Sequence, residues 1–169
     1  NNNNNNNNLT LALVDPPGSA LYNKVRYGVA YASQQREQHF IKNQYNTLAE
    51  GIGLDRVTAN FARALPYVKK AVKISDQTAV DVAHYLLQYS GLFVGSSSAM
   101  NVAALLQLSK QQQQQQNQGH KTNKNILGIT IICDTGQRHV TRFWNRDFIV
   151  NTCKLQWPSD NTDTWKERL

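Results

Sequence analysis

The stretch GLFVGSSSAMNVAALL, residues 91–106, places three consecutive serines between a glycine and a long apolar run. Apolar residues on nearly every side of that run predict a buried helix that begins at the serines. One serine hydroxyl is enough to cap such a helix, by accepting a hydrogen bond from an amide two or three residues further on. The remaining hydroxyls, together with the free amides of the helix N-terminus, could instead hold a ligand. The pattern leaves both interpretations open.

A second helix is predicted directly before this stretch, in ISDQTAVDVAHYLLQYSG, residues 74–91. Ser75 or Asp76 can act as its N-cap, and Gly91 is a natural C-cap. The apolar residues between them recur at helical spacing and predict one buried face.

Two apolar runs predict strands on either side of the helices: Leu9–Val14, and Ile126–Cys133 near the other end of the chain. Continuous apolar runs of this length are typical of parallel strands that are covered on both faces. Each run ends in turn residues, at the carboxyl end where open α/β sheets place ligands. The sequence therefore predicts an α/β fold, a parallel sheet flanked by helices.

Two homopolymer tracts divide this 169-residue chain. Polar tracts bury no apolar surface and are expected to be disordered. We predict a disordered asparagine tract over residues 1–8, one α/β domain over residues 9–150, a disordered glutamine-rich loop over residues 111–121, and a polar tail over residues 151–169. Since no methionine precedes the first asparagine, we expect the chain to be the C-terminal part of a longer protein.

The net charge of +7 comes from scattered lysines and arginines, with no dense basic stripe and no nucleic-acid-binding motif. We expect no nucleic-acid partner. Two cysteines make no disulfide framework, and the four histidines show no metal-ligand spacing, so we expect no metal site. No apolar run is long enough to span a bilayer. Any membrane association would have to come from a segment upstream of the chain.

Two glycine-containing motifs are candidates for a site. Glu50-Gly51-Ile52-Gly53 contains a lone G-x-G, which is a weak dinucleotide fingerprint and is also typical of a turn that needs positive φ. Asp134-Thr135-Gly136 follows the second apolar run; it could be a simple Asx turn, or it could direct side chains into a cleft at the sheet's carboxyl end.

Four segments taken together resemble a known family: DPPGSALYNKV (15–25), EGIG (50–53), GLFVGSSSAMNVAAL (91–105) and IICDTGQRHVTRFW (131–144). Their order and spacing resemble the C-terminal half of the cysteine synthase branch of the fold type II pyridoxal-phosphate enzymes, and within it the fungal cysteine synthase 2 group. The resemblance covers roughly residues 9–149. It implies the C-terminal part of that family's large domain.

The resemblance implies pyridoxal 5'-phosphate as cofactor, with the hydroxyl of Ser97 on its pyridine nitrogen and Gly95 and Ser98 beside it. A neutral hydroxyl does not hold a proton on that nitrogen as a carboxylate would, which suits β-elimination better than transamination. Asp134 and Thr135 match the strand end beside the ring. The segment Glu50-Gly51-Ile52-Gly53 matches a loop whose backbone faces the substrate and moves as the site closes.

The implied reaction is the β-replacement of O-acetylserine, or serine, by sulfide to give cysteine. None of Lys24, Lys42 and Lys69 lies in the family's Schiff-base context, so no catalytic residue is assigned in this chain, and the chain alone is expected to be inactive. The resemblance further implies an amino-acid substrate, a homodimer when complete, and mitochondrial localisation, with the cytoplasm as the alternative. A catalytically silent binding or scaffold protein, a cystathionine β-synthase or a serine/threonine dehydratase are the other functions considered.

Overall fold

The computed structural model describes residues 9–32, 47–118 and 127–158 of the chain. Within these residues, two strands and four α-helices follow one another in an α/β arrangement, with short 3₁₀ helices at Leu65–Tyr67 and Gly136–His139 and a π-helical turn at Phe148–Thr152. The elements are β1 (Leu11–Asp15), α1 (Leu21–Tyr27), α2 (Ala59–Ala64), β2 (Val68–Lys73), α3 (Asp76–Ser90) and α4 (Ser96–Gln118). None of these helices is long and apolar enough to cross a bilayer.

The strands β1 and β2 pair in parallel, with the register running from Ala12 opposite Lys70 to Asp15 opposite Lys73. The predicted α/β class with a parallel sheet flanked by helices is thereby confirmed. Strand β2 itself was missed, because three lysines in VKKAVK hide the β-branched residues that favour a strand.

Helix α3 has the boundaries that its local signals predict. The Oγ atom of Ser75 accepts a hydrogen bond from the amide of Thr78 at 3.0 Å, and Gly91 ends the helix in the left-handed conformation with φ of 66°. Helices α3 and α4 pack against each other and supply most of the buried apolar core. Its fully buried members include Val80, Val82, Ala83, Met100, Ala103, Phe143 and Ile149.

The glutamine tract is not the predicted disordered loop where the structure describes it. Helix α4 continues through Gln118, because glutamine is a good helix former and a helix already nucleated in the core needs little to extend it. The remainder of the predicted loop, residues 119–121, lies outside the described residues, as does the asparagine tract at residues 1–8.

The predicted second strand is also wrong over its described part. Residues 127–133 belong to no strand, and the side chains of Leu127 and Ile129 are 87% and 84% exposed. A strand needs a neighbouring strand to satisfy its backbone groups, and in the described residues this segment is followed only by an isolated antiparallel bridge between Val94 and Thr135.

Part of the predicted polar tail, residues 151–169, packs against the apolar core. Cys153, Leu155 and Trp157 pack against the core cluster. The Trp157 ring meets the His84 ring of α3 edge to face, with centroids 4.5 Å apart. Residues 159–169 lie outside the described part of the chain.

Candidate functional site

The segment of residues 47–54, hereafter the glycine loop, is tied to the first turn of α3 at its beginning. The carboxylate of Asp76 accepts hydrogen bonds from Thr47 Oγ1 at 2.6 Å and from the amide of Leu48 at 2.8 Å. Burial raises the pKa of Asp76, while these two hydrogen bonds oppose that shift. These hydrogen bonds fix the beginning of the glycine loop to helix α3.

The end of the glycine loop is tied to the turn that follows β1. Ser19 Oγ accepts from the amide of Leu54 at 3.0 Å and donates to its carbonyl oxygen at 2.9 Å. Between the two anchors, Gly51 and Gly53 have φ of 73° and 85°. The predicted turn with positive φ is therefore confirmed.

Substitution of these two glycines should separate backbone strain from crowding. An alanine at either position adopts an unfavourable positive φ, but a Cβ at position 51 meets open space, whereas one at position 53 lies 2.6 Å from Pro16 Cγ. We expect Gly53→Ala to cost about 1 kcal/mol more unfolding free energy than Gly51→Ala, as a moderate overpacking penalty. Thermal unfolding of both variants measures this; equal losses would show that Pro16 moves aside freely.

Two of the three serines hold neighbouring loops in place. Ser96 Oγ accepts from the amide of Glu50 at 3.1 Å. Ser98 Oγ accepts from the amides of Cys133 and Asp134 at 2.9 and 3.3 Å, and lies 3.3 Å from the Asp134 carbonyl oxygen, to which it donates. Both serines are fully buried. Neither hydroxyl accepts from an amide of α4, so neither caps the helix.

Ser97 differs from its two neighbours. It is half-buried, and its hydroxyl makes no hydrogen bond within residues 9–32, 47–118 and 127–158. It lies in the first turn of α4, where helix amides lack intrahelical partners. An unpaired hydroxyl beside such amides fits a ligand that carries both a hydrogen-bonding ring atom and negative charge.

Gly95 allows the Asp134 side chain to approach the start of α4. A Cβ added to this glycine would lie 2.0 Å from Asp134 Oδ1 and 2.7 Å from His139 Nε2. The Gly95 amide donates to the carbonyl oxygen of Asp134 at 3.2 Å. Close approach therefore accounts for a glycine at this position. Thr135, which follows Asp134, is exposed.

A network of ionisable side chains, missed in the sequence, joins these segments. His139 is 5% exposed; its Nε2 lies 2.7 Å from Asp134 Oδ2, and its Nδ1 lies 3.6 Å from Glu50 Oε2. Arg142 Nη1 donates to Glu50 Oε1 at 3.2 Å. In the sequence, the signal for this network is a histidine five residues after Asp134. Among the described residues, no cluster of three or more His, Cys, Asp or Glu could hold a metal.

An open cavity of about 440 Å³ borders the glycine loop. It includes Glu50, Gly53 and Arg142 but neither Ser97 nor Asp134. The remaining lining residues are Pro17, Gly18, Ser19, Thr47, Ala49, Leu54 and Asp55. The structure thus brings the three predicted segments into contact, with the glycine loop lining the cavity. Ser97 lies neither in the cavity wall nor in the network of His139, Glu50, Asp134 and Arg142.

Comparisons with known proteins agree with the resemblance seen in the motifs. The family model described as "Pyridoxal-phosphate dependent enzyme" matches residues 2–122. Cysteine synthase 2 of Schizosaccharomyces pombe is 39% identical over 141 residues, which is 83% of this chain and 33% of that protein. Cysteine synthase 2 of Emericella nidulans is 39% identical over 136 residues, covering 80% of this chain and 29% of that protein.

A third relative carries a localisation in its name. The Saccharomyces cerevisiae protein named "Putative mitochondrial cysteine synthase" is 37% identical over 134 residues, covering 79% of this chain and 32% of that protein. The chain therefore spans about a third of the length of the curated relatives that it matches.

Proposed function

The chain belongs to the pyridoxal-phosphate dependent enzyme family, and we propose that it forms one wall of a cysteine synthase-type active site. The reaction proposed for the whole protein is the replacement of the β-substituent of O-acetylserine, or of serine, by sulfide. Names of relatives at 37–39% identity support this reaction. The substrates proposed are therefore an amino acid and sulfide.

The observation that supports the proposal most directly is that the three serines differ in their hydrogen-bond partners. Ser96 and Ser98 hydrogen-bond to Glu50 and to the Cys133–Asp134 backbone, whereas the Ser97 hydroxyl, at the helix N-terminus, has no hydrogen-bond partner in the described part of the chain. We assign this hydroxyl to the pyridine nitrogen of the cofactor. When bound, pyridoxal phosphate supplies the electron sink that allows an amino acid to lose its β-substituent.

The other predicted residues are assigned roles around Ser97. Gly95 and Ser98 fix the turn from which the Ser97 hydroxyl projects, and Asp134 and Thr135 form the border beside the ring. The backbone of Glu50-Gly51-Ile52-Gly53 orients the substrate from the side of the cavity. Two left-handed glycines, at positions 51 and 53, leave backbone groups uncovered by side chains, which suits close approach of a substrate carboxylate.

No catalytic lysine is assigned within the chain. Lys24 Nζ donates to the carbonyl oxygen of Gly28 at 2.8 Å, Lys69 is exposed on β2, and Lys42 lies outside the described residues. Covalent catalysis on this cofactor needs a positioned amine. We therefore propose that the 169 residues alone do not hold the cofactor covalently.

Adding pyridoxal phosphate to the 169-residue chain tests that proposal. We expect no visible absorption band that survives dialysis, because we assign no lysine of this chain to the cofactor and none of the described residues places a lysine amine at Ser97. The matched measurement uses the product of the complete reading frame, which should retain such a band. A band that persists on the chain alone would contradict the assignment.

Assay of the complete reading frame for cysteine formation from O-acetylserine and sulfide separates the remaining functions. Turnover excludes a silent scaffold, while cofactor binding without turnover supports it. Homocysteine as nucleophile, or serine and threonine as sole substrates, identifies a cystathionine β-synthase or a dehydratase instead. The glutamine tract gives no special support to the scaffold, because residues 111–118 extend α4 rather than interrupt the site.

The oligomeric state and the subcellular location of the complete protein are also proposals. We propose a homodimer and a mitochondrial location, the latter supported by the name of the Saccharomyces cerevisiae relative. The cytoplasm is the alternative compartment. Subcellular fractionation of the tagged complete protein distinguishes the two.

A further inference from the structure

We propose that His139 is a positioning residue, which holds the glycine loop against the start of α4 and so sets where the loop backbone lies relative to Ser97. The inference deepens the proposed function and rests on it for the loop's role toward the substrate. The comparisons assign nothing to His139, and the sequence motifs gave it no role.

The His139 ring is placed between two carboxylates that come from distant parts of the chain. Nε2 is within hydrogen-bond distance of Asp134 Oδ2, at 2.7 Å, while Nδ1 faces Glu50 Oε2 at 3.6 Å. The ring is almost completely buried, whereas the Glu50 side chain is 43% exposed. The buried ring has little freedom to move and can therefore restrain the more exposed side chain of the loop.

Asp134 and Glu50 are both hydrogen-bonded to the start of α4, and His139 links their side chains. Asp134 is attached to that helix by its own backbone, through the Gly95 amide and the Ser98 hydroxyl. Glu50 is attached to it through its amide and Ser96 Oγ. His139 joins the two at the level of their side chains, so that a shift of the loop is opposed at both the backbone and the side chain of Glu50.

The contact between His139 and Glu50 has room to tighten. Nδ1 is buried and has no hydrogen-bond partner among the described residues, and its 3.6 Å distance to Oε2 is just beyond a hydrogen bond. A small movement of the glycine loop toward α4 would bring the two atoms into hydrogen-bond range. With Nε2 donating to Asp134, Nδ1 donates to Glu50 in the protonated ring.

The arrangement supports positioning rather than catalysis. His139 does not line the cavity, and its ring nitrogens face Asp134 and Glu50 rather than open space. Arg142 Nη1 contacts the other carboxylate oxygen of Glu50, but this pair is exposed on both sides. Exposed pairs contribute little, so the buried imidazole is the stronger restraint on the loop.

Hydrogen exchange of the glycine-loop amides in the complete protein, stripped of cofactor, tests the proposal without using activity. In His139→Gln, which can still donate to Asp134 but cannot span both carboxylates, we expect exchange of the amides of residues 50–53 to become about fivefold faster. Arg138→Gln is the matched control, because Arg138 lies on the same turn with an exposed side chain. Its loop amides should exchange at the wild-type rate.

Glu50→Gln provides the second variant, because its exposed side chain can be changed with little risk to folding. It removes the charge that faces His139 from the loop side, and with it the charge of the exposed Arg142 pair, which contributes little, so it should accelerate the same amides. If His139→Gln accelerates hydrogen exchange throughout the protein, the exchange rates of the loop amides in Glu50→Gln test the positioning role instead. Unchanged loop exchange in Glu50→Gln, or in a folded His139→Gln, would overturn the positioning role.

Kinetics of the cofactor-loaded protein separate this inference from the proposed function. A loop that orients the substrate should give His139→Gln a higher KM for O-acetylserine with a smaller change in kcat. Faster loop exchange with an unchanged KM would leave the positioning role intact and contradict the substrate-side role of the loop. Absence of turnover in the wild-type protein would contradict the proposed function alone, since the exchange experiment does not depend on it.

Discussion

Ser97→Ala in the complete protein should weaken binding of pyridoxal phosphate roughly thirtyfold while leaving thermal stability close to wild type. Among the described residues, Ser97 carries the one hydroxyl of the three serines that has no hydrogen-bond partner, and the substitution removes it. The bound ring nitrogen would then be buried without its hydrogen bond, at a cost of about 2 kcal/mol. Titration with the cofactor, followed by its absorption spectrum, measures both the affinity and the altered environment of the ring.

Ser98→Ala is the matched control, and it should show the opposite pattern. Its hydroxyl is buried and serves the amides of Cys133 and Asp134, so its loss should lower stability by about 1–2 kcal/mol. Its effect on cofactor affinity should be smaller than that of Ser97→Ala. If both variants lost only stability, with equal cofactor spectra, the ligand role of Ser97 would be wrong and these serines would serve the protein alone.

The parts of the fold that were predictable are those with complete local signals. Helix α3 has an N-cap at Ser75, an apolar face and a glycine at position 91, and all three agree. Strand β2 lacks such agreement, because its lysines argue against a strand that its pairing with β1 nevertheless stabilises. Pairing is a long-range property, and no short window of the sequence contains it.

The predicted strand at residues 127–133 and the predicted disorder at residues 111–118 are both wrong, because composition was taken as evidence of structure. Residues 127–133 have the composition of a strand but no neighbouring strand in the described part of the chain, so they remain exposed. The glutamines at 111–118 have the composition of a disordered tract but follow a helix that is already anchored in the core. Composition describes a preference, and the neighbours decide whether it is realised.

The sequence predicted which segments form the candidate site, but not which of their side chains contact one another. The motifs around Glu50, Ser97 and Asp134 indicated that these segments belong to one site, and they do contact one another. The spacing of the residues alone did not indicate which serine lacks a partner, because that depends on where two other loops meet α4; only the resemblance pointed to Ser97. His139 was missed for the same reason, since its partner Glu50 lies far away in the sequence.

His84 carries a second large effect, at the back of the site. Its ring lies on α3 between Trp144 and Trp157, with ring centroids 4.7 and 4.5 Å away. Its Nε2 atom is buried and has no hydrogen-bond partner among the described residues. Burial lowers the pKa of His84 from 6.5 to about 4, because a charged imidazolium loses its hydration between two indole rings.

Acidification should therefore destabilise the protein through His84. Below pH 6.5 the unfolded chain binds a proton that the folded ring does not accept until about pH 4, so this contribution to stability is complete above pH 6.5 and is lost as the pH falls towards 4. The full shift corresponds to about 3 kcal/mol. Because water still reaches part of the ring, we expect a loss of about 2 kcal/mol.

The melting temperatures of wild type and His84→Phe, measured from pH 8 to pH 4, isolate this contribution. Phenylalanine keeps an aromatic ring between the two tryptophans but cannot be protonated, so the variant should lose less stability than wild type between pH 6.5 and 4. Carboxylates that titrate in the same range affect both proteins equally and cancel in the difference. Between pH 8 and 7 the difference should stay constant, since His84 is neutral in both states. Parallel curves down to pH 4 would show that the ring between Trp144 and Trp157 accepts its proton without leaving the core.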